Sequence, residues 1–162
     1  MGGKSIKRAS ECLNLFIHSL PPNSYFNIYR FGSRFEKLFK ESIEYTDETA
    51  MQGIQYSESL KANLGGTDIY NPLKDIYDIQ PCHGQRQIFI LTDGAVIDAE
   101  EIIQMISSNS SNNRCFTIGI GGDCDVKLVK DMASSSGGES QFVNEGGSIS
   151  LSLIPQLRLS LN

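Results

Sequence analysis

Apolar residues in the first twenty positions recur at three- and four-residue steps: Ile6, Ala9, Cys12, Leu13, Phe16, Ile17 and Leu20. That spacing lays one stripe along a helix over 3–20. Pro21 and Pro22 end it. In "SYFNIYRFGS" the period changes. Tyr25, Phe26, Ile28, Tyr29 and Phe31 crowd aromatic and β-branched side chains onto both faces, which predicts a strand over 24–31. Phe35, Leu38 and Phe39 predict a shorter strand, antiparallel and at the sheet edge.

"TDETAMQGIQYSESLKANL" offers Thr46 or Asp47 as an N-cap, with acidic residues in the first turn. The helix is expected to run to about Leu64 and stop at Gly65-Gly66. A short helix over 71–79 carries Pro72 in its first turn. "RQIFILTDG" holds four consecutive apolar residues, Ile88 to Leu91, as expected of a strand covered on both faces. A helix over 98–108, the strand "RCFTIGIGG", a helix over 126–133 and a short strand near 139–143 follow. Gly137 or Gly138 ends the last of these helices. In "SISLSLIPQLRLSLN" the early alternation fits a strand, but Leu153, Leu157 and Leu161 keep helical spacing and Pro155 suits a first turn. The segment reads as a helix.

Strands alternating with helices predict an α/β fold built on a mostly parallel sheet. Ligands of such sheets bind at the carboxyl ends of the strands. Three loops are candidates for that rim: "GSRF", "TDGAV" and "GIGGD".

Composition narrows the class. The 162 residues, 40% hydrophobic and 20% charged, fit one domain spanning 1–162. A net charge of −5 does not favour nucleic acid as a partner. The longest apolar run, "IFIL", falls far short of the ~20 residues that cross a bilayer, so no membrane insertion is expected. No signal peptide is visible, and the cysteines at 12, 82, 115 and 124 show no zinc or disulfide spacing. Both features point to an intracellular, cytoplasmic protein with reduced cysteines.

Candidate chemistry is sparse. Asp93 follows "IFILT" at the end of a strand, and Thr67 follows the pliable Gly65-Gly66. A carboxylate and a hydroxyl brought together there are hard oxygen ligands suited to Mg²⁺ or Mn²⁺. The same two residues also suit the N-caps of the helices that follow them. Lys4-Ser5 resembles the end of a phosphate loop, but G-x-x-x-x-G-K-[ST] is not present. Gly119, Gly121 and Gly122 miss the dinucleotide fingerprint, whose third glycine position holds Cys124. Cys82-His83 is a weak ligand pair, and His18 reads as a helix-terminal histidine.

"SLPPNSYFNIYRFGS", "LGGTDIYNPLKDIY", "RQIFILTDGAV", "RCFTIGIGG" and "KLVKDMASSSGGESQFV" together resemble a von Willebrand factor A domain. The likeness is strongest to those that accompany an inter-alpha-trypsin-inhibitor-type N-terminal domain. It implies a doubly wound, Rossmann-like sheet and a metal-ion-dependent adhesion site. In that family the site joins a D-x-S-x-S loop to a Thr from a second loop and an Asp from a third. Matched by motif, the Thr is Thr67 and the Asp is Asp93. The metal is then Mg²⁺ or Mn²⁺, and its open position takes an acidic side chain of a protein partner.

The resemblance implies a binding module rather than an enzyme. The alternatives are an A domain serving one part of a larger multidomain enzyme, or a nucleotide-binding domain using Lys4-Ser5. The D-x-S-x-S loop is absent from residues 1–162, and Met1 stands where the family places the residue after it. Thr67 and Asp93 therefore read as the residual ligands of a truncated site, insufficient alone. The central first strand expected before that loop is missing too. Five buried side chains at ~1.5–3 kcal/mol each would rival a domain's whole stability, so the chain reads as a shortened form.

Overall fold

The computed structural model describes residues 3–20, 24–32, 34–59, 68–79, 86–92, 99–120 and 126–143. The expected first helix is α1, Gly3–Ser19. Its stripe serves two neighbours. Ala9, Cys12 and Phe16 face Phe89, Leu91, Ile118 and Ile120, while Leu13, Ile17 and Leu20 join Phe26, Ile28 and Ala50. α1 is therefore the hinge between two parts of the core.

Next in the chain is an antiparallel hairpin of β1 (Tyr25–Phe26), β2 (Tyr29–Phe31), β3 (Phe35–Lys37) and β4 (Ile43–Glu44). The strand expected over 24–31 is broken into β1 and β2. β2 pairs with β3, and β1 pairs with β4 in a different register. Between Phe26 and Tyr29 lie two residues, whereas Lys37 and Ile43 are separated by five. Asn27 bridges the mismatch with its side chain. Its Oδ1 accepts from the N–H of Ile28 at 2.8 Å and of Phe39 at 3.0 Å, and its Nδ2 donates to the Phe39 carbonyl at 2.8 Å. The amide so replaces one rung of the ladder, and the backbone turns there as in a β-bulge.

Asn27→Ala removes these three bonds and strands both polar groups of Phe39. The expected loss is ~2–3 kcal/mol, read as a lower urea midpoint at unchanged slope. Asn27→Asp, which retains the acceptor, is expected to lose less.

Thr46 caps α2, Asp47–Glu58, in a reciprocal box: Thr49 N–H donates to Thr46 Oγ1, and Thr46 N–H to Thr49 Oγ1. This matches the N-cap expected at Thr46 or Asp47. Ser10 Oγ donates to the Ser57 carbonyl at 2.6 Å and ties α1 to α2. α2 ends at Glu58 with Ser59 as its C-cap, short of the Leu64 expected, while Gly65-Gly66 lie outside the described residues.

α3 (Tyr70–Asp78), β5 (Arg86–Thr92), α4 (Ala99–Ser108), β6 (Asn113–Ile120), α5 (Val126–Ser134) and β7 (Ser140–Val143) complete the order. β5, β6 and β7 form a parallel sheet in that order. Alternation sorts the strand side chains. Phe89 and Leu91 face α1, while Ile88, Ile90 and Cys115 face α3, α4 and α5 through Leu73, Ile102, Ile106, Leu128 and Met132. Helices on both faces explain why β6 is almost wholly buried and why the central strands read as unbroken apolar runs. Thr117, the polar residue inside β6, donates to the Val129 carbonyl at 2.7 Å.

A single sheet with an antiparallel edge was the expectation. Among the described residues the hairpin strands hydrogen-bond to one another and not to β5. The hairpin reaches the parallel sheet through side chains instead, Phe31 packing against the cluster that holds Ile88 and Ile90. The C-terminal helix expected beyond residue 148 lies outside the described residues.

Candidate metal-ion and partner site

Thr67 and Asp93, the two expected ligands, lie outside the described residues, as do Cys82 and His83. On one side of each expected ligand a neighbour is described: Asp68, half-buried, after Thr67, and Thr92, buried, before Asp93. Asp68 follows Thr67, so covalent geometry sets their Cα atoms about 3.8 Å apart. The same holds for Asp93 and Thr92, the last residue of β5, which is 2% exposed. Ile69, two positions after Thr67, is also 2% exposed. It belongs to the same apolar cluster as Ile90, three positions before Asp93.

The rim is tied from the hairpin side as well. The Asp68 N–H donates to the Gly32 carbonyl at 2.7 Å, just beyond the end of β2. The Asp68 carboxylate accepts from the Asn71 N–H at 3.3 Å and from Asn71 Nδ2 at 2.5 Å. Ile69 already has helical dihedrals, and its carbonyl accepts from the Leu73 N–H at 3.1 Å. Ile69 is thus the N-cap residue, and the carboxylate of Asp68, one position earlier, accepts from the first turn of α3 in its place. That carboxylate serves the first turn in a role that sequence alone offered to Thr67, which lies outside the described residues.

Family resemblance now has a geometric setting. The model of the von Willebrand factor type A domain matches residues 1–142. The chain belongs to the von Willebrand factor type A domain family. The protein named von Willebrand factor A domain-containing protein 5A of Rattus norvegicus is 40% identical over 157 residues. The match takes in 96% of this chain and 19% of that protein, so the chain spans about a fifth of the relative's length. Among solved structures, a von Willebrand factor type A protein from Catenulispora acidiphila superposes with a TM-score of 0.77 at 17% identity. It covers 98% of this chain and 38% of its own. Proximal thread matrix protein 1 from the mussel byssus, solved with a zinc-occupied MIDAS motif, gives 0.72 at 16% identity, covering 93% of this chain and 39% of its own. At these identities the structures establish the fold.

Beside Asp68 the A domain has an open depression of about 470 Å³, bordered by Arg34, Phe35, Asn71, Lys74, Asp75 and Asp78. Asp75 is the best-anchored of its charges. Tyr29 Oη donates to Asp75 Oδ2 at 2.7 Å, and Lys37 Nζ lies 3.0 Å from the same oxygen. The Tyr29 bond, helped by Lys37 against a partial burial penalty, holds the Asp75 carboxyl below its ordinary range. Burial and the same bond push the Tyr29 phenol up. These contacts fasten the hairpin to α3 and leave Asp75 a structural carboxylate.

Among the described residues no group of three or more His, Cys, Asp and Glu side chains is placed to hold a metal ion. Cys12 and Cys115 are buried thiols, and burial pushes that of Cys115 up to about 12, far from thiolate reactivity. No described helix is long and apolar enough to cross a membrane. The residue missed from sequence is Asp68. Its signal was the D-x-x-N spacing of "DIYN", which puts an acceptor three residues before the N–H it caps.

Proposed function

We propose that this A domain is a protein-interaction module whose binding rim contains Thr67 and Asp93 as part of a metal-ion-dependent adhesion site. Supporting this most directly, Ile69 and Ile90 share one apolar cluster, so the stretches carrying the hydroxyl and the carboxylate leave a common patch of core. The oxygen chemistry of the pair fits a hard divalent ion. Its number does not suffice: one carboxylate and one hydroxyl leave most of an octahedral shell to water. The remaining ligands are those of a D-x-S-x-S loop, which residues 1–162 do not contain. When bound, Mg²⁺ or Mn²⁺ supplies an open coordination position for a partner's carboxylate. Thr67 and Asp93 would hold it from two sides.

Titration of the isotope-labelled chain with Mn²⁺ tests the reading by paramagnetic broadening of its amide signals. Selective broadening at residues 66–69 and 92–94 is expected, with an apparent Kd on the order of millimolar for so poor a ligand set. Asp93→Ala is expected to abolish it at both stretches. Broadening confined to other acidic positions, or unchanged in Asp93→Ala, refutes the shared site.

A further inference from the structure

β2 and β3 form a two-stranded ladder separate from that of β1 and β4, and the side chain of Asn27 bridges the break between them. Below the break the hairpin is anchored in the core. Phe26 and Ile28 are buried with Ile17 and Ala50, and Leu38 and Phe39 pack against them. Beyond it β2 and β3 are held by side chains on two faces, sorted by strand alternation. On one face Arg30 pairs with Glu36 and lies 5.5 Å over the Tyr56 ring of α2. On the other, Phe35 stacks on Tyr29 at 5.9 Å, and Phe31 packs half-buried against the cluster of Leu73 and Ile76. Tyr29 and Lys37 meet there on a single atom of α3, Asp75 Oδ2, at 2.7 and 3.0 Å. At the far end the Gly32 carbonyl accepts from the Asp68 N–H at 2.7 Å.

We propose that β2 and β3 form a strap that pivots at Asn27 and is fastened over α3 by the Tyr29–Asp75–Lys37 contact. Tyr29 and Lys37 face each other across the ladder, so one carboxylate oxygen fastens both strands at once. Bonds to a charged group are the stronger kind, and two on one atom are lost together. At the pivot the ladder is already interrupted, so the strap can turn there without breaking its own rungs. Ile28 and Leu38, the rung next to the break, mark the axis. Arg34 and Phe35 at the end of the strap face Asn71, Lys74, Asp75 and Asp78 of α3 across the open depression. Release of Asp75 therefore widens that depression. The inference needs neither Thr67 nor Asp93.

Amide hydrogen exchange of the 162-residue chain, read residue by residue, separates turning of the strap from unfolding. The Asp68 N–H loses its Gly32 acceptor when the strap lifts from the start of α3. The Leu38 N–H, bonded to the Ile28 carbonyl at 2.9 Å, stays protected unless the strap itself comes apart. The Thr117 N–H, bonded to the Glu139 carbonyl at 3.1 Å, reports the parallel sheet. Asp75→Ala is expected to speed exchange at Asp68 roughly tenfold or more, the size of a hydrogen bond to a charged group. Leu38 and Thr117 are expected to stay within about twofold of the parent chain, because local openings leave the rest of the fold closed. Tyr29→Phe keeps the ring on Phe35 and the Lys37 pair, and is expected to speed Asp68 by about threefold. Unchanged exchange at Asp68 in Asp75→Ala would overturn the proposal, since the strap would then be held without this contact. Equal acceleration at Asp68 and Leu38 would overturn it as well, because the strap would unfold rather than turn. So would equal acceleration at all three amides, which would make Asp75 a contributor to overall stability alone. If Asp75→Ala does not fold, Tyr29→Phe decides by the same three amides.

Discussion

Gly138→Ala is expected to destabilise the domain by at least ~3 kcal/mol, beyond the usual cost of overpacking. A Cβ at Gly138 would lie 1.8 Å from the Cys115 carbonyl oxygen and 2.8 Å from its carbon. Those are backbone atoms of β6, and β6 is paired on both sides with β5 and β7. No side chain can rotate to make room. The Gly138 N–H is also committed, donating to the Ala133 carbonyl at 3.0 Å as the chain leaves α5. Gly137 provides the control. It has a φ of +76°, but nothing lies within 4 Å of a Cβ built on it. Gly137→Ala therefore pays only the left-handed backbone penalty of about 1–2 kcal/mol. Urea unfolding of the two variants side by side tests the ranking. A Gly138→Ala midpoint equal to or above that of Gly137→Ala would show that the chain can separate from β6.

Phe116→Ala should be nearly as damaging, ~3–5 kcal/mol, from lost transfer energy and the cavity it leaves. Phe116 is 1% exposed and lies in the middle of β6. Its ring stacks on Phe89 with centroids 5.1 Å apart, and Phe89 meets Phe16 of α1 at 4.5 Å. Phe89, with Leu91, Ile118 and Ile120, meets α1, and Phe116 backs the Phe89 ring, so the cavity opens beside the helix's seat. Phe116→Leu fills most of the volume and is expected to lose under ~1.5 kcal/mol. Chemical denaturation with fluorescence or circular dichroism separates the two. A Phe116→Ala loss no larger than that of Phe116→Leu would mean the site collapses around the smaller residue. The double variant with Phe89→Ala is expected to lose less than the sum of the single changes, because both delete the same ring contact.

Much of the secondary structure was legible because its signals are local. The stripe of α1, the apolar runs of β5 and β6 and the Thr46 cap depend on residues within one turn or one strand of each other. The break in the first hairpin arm was not legible. Nothing near Asn27 in sequence announces it, since the cause is a bond to Phe39, twelve residues away, on the opposing arm. The choice between Gly137 and Gly138 was open for the same kind of reason. One is required by its own dihedral and the other by a distant carbonyl.

The site divides along similar lines. Thr67 and Asp93 were found by their residue types and by the family pattern, and their order in the chain is a matter of sequence. Asp68 was passed over because Thr67, one position earlier, is an equally acceptable cap on propensity. The bonds of Asp68 to Asn71 and Gly32 appear only in the folded chain.

By itself, then, the sequence determined the identity and order of the helices and parallel strands, the apolar faces that cover the sheet, and the family to which the domain belongs. Periodicity and capping are encoded over a few neighbouring residues, so they need no knowledge of the rest of the chain. Tertiary structure alone decided the register shift at Asn27, the close approach of Gly138 to Cys115, and the bonds of Asp68 to Gly32 and the first turn of α3. Each of those depends on a hydrogen bond or a steric contact between residues brought together only when the chain has folded.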